Sequence, residues 1–186
     1  HGNYMKVTKA NLVVSIALMV LGSSMFLLMP MYVGAISDSY GYSASDLGLL
    51  ASADLIGVGI ASLIAPLWIN KANWRTCTIL MWSAFIVGNY LSLSISDYQN
   101  LFTLRLVIGL VAGGALSIAA SVISFSSNPA RFFAIGVFFQ VSYQTISFIV
   151  LPDIISEYQV QGFLFYLIAL QLTLLPLLYF VPTHLK

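Results

Sequence analysis

Long apolar segments alternate with short polar links along the chain. Six such segments occur, near residues 11–36, 46–69, 76–96, 101–124, 132–154 and 162–182. A helix rises about 1.5 Å per residue, so each segment is long enough to cross a hydrocarbon core about 30 Å thick. The links are too short for a separate soluble domain. The pattern predicts an all-α integral membrane protein in which residues 5–186 form one six-transmembrane-helix bundle.

Composition supports the membrane class. The chain is 60% hydrophobic and 7% charged, with a mean hydropathy of +0.96, whereas soluble domains are about 25% charged. Cys77 is the single cysteine, and the two histidines lie at positions 1 and 184. Membrane enzymes need Ser–His pairs or metal-binding clusters, so we expect no metal site, no cofactor and no enzyme activity. The net charge of +1 gives no indication of a nucleic-acid partner.

Charges in the links separate by sign. The basic links contain Lys6, Lys9, Lys71, Arg75, Arg131 and Lys186. The acidic links contain Asp38, Asp46, Asp97, Asp153 and Glu157. Because basic links stay in the cytoplasm, we expect a multi-pass protein of the cell (inner or plasma) membrane with both termini cytoplasmic.

The first few residues are expected to lie outside the fold. The letters HGNY stand before Met5, so residues 1–4 are interpreted as a remnant of cloning. The first apolar segment is too long for the core of a cleavable signal peptide and lacks the small-residue cleavage site. We therefore expect this segment to remain as a membrane helix.

Asp54 and Arg105 are charged residues inside apolar segments. Helical rise places Asp54 about 12 Å and Arg105 about 7 Å from the starts of their helices, depths at which extended side chains could meet. An intramembrane charge costs about 2.5–3.5 kcal/mol on insertion scales, which makes each residue a functional candidate. Two interpretations of Asp54 stay open: a hydrogen bond that fixes packing, or a group that binds substrate or a proton during transport.

Two residue patterns indicate faces of helices. In the fourth segment, small residues recur at every fourth position (Gly109, Gly113 and Ser117), which predicts a face for close helix packing. In the first segment, Met29 and Tyr32 share one face, which suits either plain packing or a substrate-facing surface.

Polar side chains also share one face of the fifth segment: Gln140, Tyr143 and Gln144. In hydrocarbon such groups need partners. They either form hydrogen bonds across helices or border a water-filled cavity. We favour the cavity, because three large polar side chains exceed what one packing contact usually needs.

The link after the second segment carries a degenerate motif. Residues 66–75 resemble the gating-loop motif G-x-x-x-D-R-x-G-R-R of major facilitator superfamily transporters. Lys71 and Arg75 are kept, whereas Asn70 stands for the acid and Asn73 for the glycine. Asn70 cannot make the charge contact attributed to that acid.

Two further motifs extend the resemblance, which covers nearly the whole chain and points to the N-terminal half of such a transporter. Arg105 with Gly109 is similar to the R-x-x-x-G pattern of the fourth helix in that family. The link before the fifth segment reads Arg131-x-x-Ala134-x-Gly136, similar to R-x-x-A-x-G.

The resemblance implies a six-helix half built as a 3+3 inverted repeat. It implies that the first and fourth helices line a central cavity, the second and fifth form the seam with another half, and the third and sixth face lipid. It further implies secondary transport of a small solute by alternating access, and Arg105 on the cavity wall would suit an anionic one. Because the family has two halves, we expect pairing with a C-terminal half or with a second copy, as a homodimer.

A non-transporting six-helix assembly or scaffold, or an isolated fragment that forms a homodimer, is the main alternative. The letters Asn128-Pro129-Ala130-Arg131 spell the box of aquaporins. Aquaporins need two boxes, each on a half-helix that enters the membrane, so we interpret this single box as chance.

Overall fold

The computed structural model describes residues 6–184, and these residues fold as helices joined by turns. The helices of this range are α1 Lys9–Gly22, α2 Ser24–Leu27, α3 Met29–Tyr40, α4 Ala44–Trp68, α5 Trp74–Leu91, α6 Tyr98–Ser124 and α7 Pro129–Leu174, followed by a 3-10 helix, Leu175–Phe180. No strand occurs among the described residues, in agreement with the all-α prediction. The expectations for residues 1–4 and for Lys186 fall outside this range.

Three helices are long and apolar enough, by length and composition, to cross a membrane: Ala44–Trp68, Tyr98–Ser124 and Pro129–Phe180. α1 is apolar but shorter. α5 ends at Leu91, earlier than the predicted end near residue 96. The count of six membrane spans therefore stays a prediction.

The first predicted segment is broken twice rather than continuous from 11 to 36. Ser23 (φ −89°, ψ 0°) separates α1 from α2, and Leu28 (φ −108°, ψ 13°) separates α2 from α3. The first break falls at a Gly22-Ser23 pair, a common place for a helix to kink. The second precedes Pro30, which has no backbone N–H and disfavours a continuous helix before it.

Gln159 (φ 58°, ψ −145°) divides α7 into two limbs, α7a (residues 129–158) and α7b (residues 160–174). The hydroxyl oxygens of Ser147 and Tyr166 lie 2.8 Å apart, although nineteen residues of straight helix would span about 28 Å. The limbs therefore fold back along each other. Pro152 lies inside α7a, since a proline is tolerated within a membrane helix where other groups satisfy the freed backbone carbonyl.

Asparagine side chains begin two of the helices. Asn73 Oδ1 accepts a hydrogen bond from the N–H of Thr76 (3.1 Å) at the start of α5. Asn128 Oδ1 accepts one from the N–H of Arg131 (3.1 Å), and Pro129 is the first residue of α7. Asparagine before the helix and proline at its first position are ordinary start signals. The Asn-Pro-Ala letters are thus accounted for as a helix start.

Glycines allow the backbones of α4 and α6 to approach each other closely. A Cβ atom on Gly109 would lie 2.9 Å from the Cα of Asp54, and one on Gly57 would lie 2.7 Å from the backbone nitrogen of Leu110. A Cβ atom on Gly113 would lie 2.8 Å from the Cβ of Ala61. The row of small residues on α6 therefore packs against α4.

The two ends of the bundle are chemically different. At one end, the Nε of Arg75 donates to the carbonyl oxygen of Val181 (2.8 Å); we call it the basic end. At the other end, the hydroxyl of Tyr42 donates to the carbonyl oxygen of Ser96. This bond joins two of the acidic links, so we call this end the acidic end. Burial raises the pKa of the Tyr42 hydroxyl above its ordinary value. The reversal at Gln159 also lies at the acidic end, in a depression lined by Ala35, Asp38, Ser39, Pro152, Ile155 and Ser156.

Candidate functional site

Asp54 of α4 and Arg105 of α6 form a two-point ion pair inside the bundle. The Nη2 of Arg105 lies 2.7 Å from Oδ1 of Asp54, and its Nε lies 3.0 Å from Oδ2. Arg105 is 0% exposed and Asp54 is 3% exposed. Paired N–H···O bonds of this kind satisfy both carboxylate oxygens. The structure thus brings the two charges together, as their depths allowed.

Close packing changes the position expected for Arg105. We expected this side chain on the wall of a cavity, but the structure encloses it completely. The reason lies in Gly109, one helical turn further along α6, where a Cβ atom would already contact the backbone of Asp54. With the two helices this close, no cleft remains beside the guanidinium.

Amide side chains extend the ion pair to two more helices. The Nη1 of Arg105 donates to Oδ1 of Asn89 (2.6 Å) and lies 3.5 Å from the Oγ of Ser92, both near the end of α5. The Nδ2 of Asn89 donates to Oε1 of Gln171 in α7b (3.1 Å). Asn89 and Gln171 are fully buried. A single polar network therefore joins α4, α5, α6 and α7b.

Asn89 and Gln171 are the functional candidates that sequence reasoning missed. The third and sixth helices were expected to be bland and to face lipid. Apolar side chains of α5 such as Leu80 and Val87 are indeed exposed, yet the amides of both helices point inward. The signal was an isolated amide in each apolar segment, since a buried amide needs a partner.

Tyr32 of α3 covers another side of the same network. Its ring centroid lies 5.4 Å from the guanidinium carbon of Arg105, and the residue is buried. A cation over an aromatic face is attracted by the ring. Tyr32 therefore belongs to the charge network, whereas Met29 of the same predicted face is only partly buried and packs against the surrounding apolar cluster.

A separate groove with a volume of about 450 Å³ opens between the first segment, α4, α6 and α7a. Its polar lining residues are Ser23, Ser62, Ser117 and Gln140. The other lining residues are apolar: Met19, Phe26, Val58, Leu116, Ala120 and Phe133. We call this concavity the polar groove. Its lining contains no charged side chain, and the Asp54–Arg105 pair lies outside it.

The polar residues of α7a bond mainly across helices. The Nε2 of Gln140 donates to the Oγ of Ser23 (3.1 Å), and the Nε2 of Gln144 donates to the carbonyl oxygen of Leu27 (2.7 Å). The hydroxyl of Tyr143 is buried and makes no hydrogen bond within the described part of the chain. Of these three residues, Gln140 also lines the polar groove. It therefore both forms a hydrogen bond across helices and borders a concavity.

The gating-loop residues are divided between solvent and the basic end. Asn70 and Lys71 are exposed. Arg75 instead donates to Val181, and its guanidinium carbon lies 4.6 Å from the ring centroid of Tyr179. In this structure Arg75 therefore binds the end of the same bundle.

A family model described as "Sugar (and other) transporter" matches residues 11–183. Searches of curated proteins and of solved structures found no significant match. The match covers both the charge network and the polar groove. Among the residues that the structure describes, no group of three or more His, Cys, Asp or Glu could hold a metal ion.

Proposed function

The chain belongs to the sugar (and other) transporter family of the major facilitator superfamily, and from this premise we propose that it forms one half of a secondary transporter. Six spans with both ends cytoplasmic would build this half. A second half would close over the polar groove, and the two would rock about a solute held near the bilayer midplane.

The polar groove is the observation that carries this proposal. It lies between four helices at once, and its otherwise apolar lining includes three serines and one glutamine. Binding sites for small molecules are mostly apolar concavities with a few placed polar groups. The donors of these four side chains already bond within the bundle. Their oxygen atoms remain as acceptors, which suits a neutral solute that carries hydroxyl groups.

The charge network argues for a neutral solute over the anionic one first expected. The Nε and Nη2 donors of Arg105 already bond to Asp54 and are not free for an anion. The Arg105 side chain is also fully enclosed. An anion would have to displace a carboxylate that is held at two points. We therefore propose that Asp54 and Arg105 keep the helices in place, and that solute contacts come from Gln140 and its neighbours in the groove.

Uptake into proteoliposomes tests this proposal, with the chain reconstituted together with a second half or as a homodimer. We expect entry of a neutral sugar or sugar alcohol, and little entry of the corresponding sugar acid. Ser62→Phe fills the groove and should abolish entry. Leu63→Phe adds a similar side chain at a neighbouring position that is 81% exposed, and it should leave entry unchanged. Entry that is insensitive to Ser62→Phe, or that favours the acid, would contradict the proposal.

A proton role for Asp54 is the coupling alternative. It predicts that uptake driven by a pH gradient fails in Asp54→Asn. If this variant remains folded and its uptake keeps the pH dependence of the parent, Asp54 has no part in coupling.

A non-transporting assembly is the second candidate, in which a second copy rather than lipid would cover exposed apolar faces of α4 and α7a. Leu55, Ile60 and Leu67 of α4 are exposed, as are Phe138 and Ile149 of α7a. The mass of the detergent-solubilised protein tests pairing. The 20.3 kDa chain should form a complex with its second half when the two are mixed, or a homodimer when it is alone. A homodimer without uptake would favour the scaffold, and a strict monomer under all conditions would contradict pairing.

A further inference from the structure

Two glutamines of α7a contact the backbone of the first segment near its two breaks. The Nε2 of Gln140 donates to the carbonyl oxygen of Met19 (3.2 Å) and to the Oγ of Ser23 (3.1 Å). The Nε2 of Gln144 donates to the carbonyl oxygen of Leu27 (2.7 Å). The two glutamines are four residues apart and therefore lie on one face of α7a.

At the first break, the bonded carbonyl group is one that the break releases. In a continuous helix the N–H of Ser23 would bond to the carbonyl oxygen of Met19, four residues earlier. Here that N–H bonds to the carbonyl oxygen of Leu21 instead. The Oγ of Ser23 (2.6 Å) and the amide of Gln140 donate to Met19 in its place.

The second break repeats this arrangement. The N–H of Met31 bonds to the carbonyl oxygen of Leu28 (3.0 Å) rather than to that of Leu27. Leu27 is thereby left without its helical donor, and Gln144 supplies one. Pro30 fixes the break at this place, because it has no N–H and its ring clashes with the preceding turn.

These contacts point to a role that goes beyond fixing one helix on another. A carbonyl group without a donor is costly away from water, so the breaks persist only where a side chain replaces the lost bond. We propose that Gln140 and Gln144 are positioning residues that hold the first segment in its interrupted shape. Through α3, this shape sets where Tyr32 lies against Arg105. The effect on uptake rests on the proposed transport function, whereas the effect on shape does not.

Spin-label distances test the effect on shape. In a Cys77→Ser background, labels at Ser37→Cys of α3 and Leu49→Cys of α4 occupy exposed positions on separate helices. Gln140→Leu combined with Gln144→Leu should shift or broaden the distance between the labels by several ångströms. Gln144→Met alone keeps the side-chain length but lacks the donor, and it should change the label distance less, in the same direction. This single variant provides the test if the double variant does not fold.

Two variants of the same limb are matched controls. The hydroxyls of Ser142 and Thr145 donate to carbonyl groups of α7a itself, those of Phe138 and Val141. Ser142→Ala and Thr145→Val should therefore leave the label distances unchanged. Parent-like distances in a folded Gln144→Met variant would overturn the proposal, and so would equal changes in the controls.

Uptake kinetics then separate positioning from simple support. Gln144 does not line the polar groove, so Gln144→Met should lower the maximal rate of uptake several-fold while KM changes less than twofold. An equal loss in Thr145→Val would show a general packing effect. If the parent protein moves none of the solutes, the proposed function fails, and the label distances still decide whether the glutamines hold the breaks.

Discussion

The carboxylate of Asp54 and the guanidinium of Arg105 meet at two points, 2.7 Å and 3.0 Å apart, with no access for solvent. Such a pair is energetically asymmetric. Taking both charges out of water is expensive, so the pair itself adds little stability compared with apolar side chains of similar size. Removing one partner alone leaves an unpaired buried charge, which is far worse.

The first prediction is a strong coupling between these two residues. Asp54→Leu and Arg105→Met should each lower the free energy of unfolding by about 3–5 kcal/mol, whereas the double variant should recover most of the loss. Unfolding by SDS in detergent micelles measures the three values. Additive losses in the double variant would contradict the two-point pair.

The second prediction concerns Asn89, which accepts a 2.6 Å hydrogen bond from Arg105. Asn89→Leu removes this acceptor and leaves Gln171 without its partner, so the free energy of unfolding should fall by about 1–3 kcal/mol. Tyr90→Leu changes the next residue, which is exposed to the surroundings, and should cost much less. Equal unfolding curves for the two variants would exclude Asn89 from the network.

The third prediction tests the close approach of α4 and α6. Gly57→Ala and Gly109→Ala each place a Cβ atom against the backbone of the opposite helix. Forcing apart well-packed helices typically costs about 1–3 kcal/mol. Gly59→Ala is the matched control on α4, because a Cβ atom there has no neighbour within 4 Å. We expect this variant to be as stable as the parent or slightly more stable.

The fourth prediction concerns the basic end. Arg75→Gln should loosen the end of the bundle, because it removes both the hydrogen bond to Val181 and the contact with Tyr179. Faster hydrogen exchange in residues 179–183, together with unchanged exchange in α6, would show this effect. Lys71→Gln removes a neighbouring exposed charge and should leave the exchange of residues 179–183 as it is in the parent.

The fifth prediction concerns the reversal of α7. Gln159 has a positive φ of 58°, a conformation that costs a side-chain-bearing residue about 1 kcal/mol or more and costs glycine little. Gln159→Gly should therefore raise the melting temperature in detergent. Gln161→Gly is placed within the helical part of α7b. It should lower the melting temperature, because glycine destabilises a helix. A fall in both variants would contradict the strained reversal.

Local features of the sequence predicted local features of the structure well. The apolar segments located α4 and α6 close to their observed bounds, and the small residues of α6 identified the face that packs on α4. The depths of Asp54 and Arg105 allowed their contact. Each of these inferences depends on positions counted within a single helix: its length, the spacing of its small residues, or the depth of its charged residue.

The remaining features depend on which helices are neighbours, which spacing does not reveal. Asn89 and Gln171 are 82 positions apart, and either amide alone is consistent with a lipid-facing helix. The breaks at Gly22-Ser23 and before Pro30 are compensated by donors from α7a, which no spacing within the first segment could indicate. Arg75 was assigned to a gating loop by resemblance, and only the fold shows that its partner is Val181.

The first helix bonds to a residue that is synthesised much later. The Nδ2 of Asn11 donates to the carbonyl oxygen of Phe180 (2.7 Å), 169 positions later, and the N–H of Trp74 donates to that of Thr183 (2.8 Å). During synthesis, α1 and α5 therefore emerge before the acceptors of these two hydrogen bonds exist. These two contacts form only after residues 180–183 have been synthesised, which makes the intermediate before that moment the species on which insertion chaperones and quality-control proteases would act.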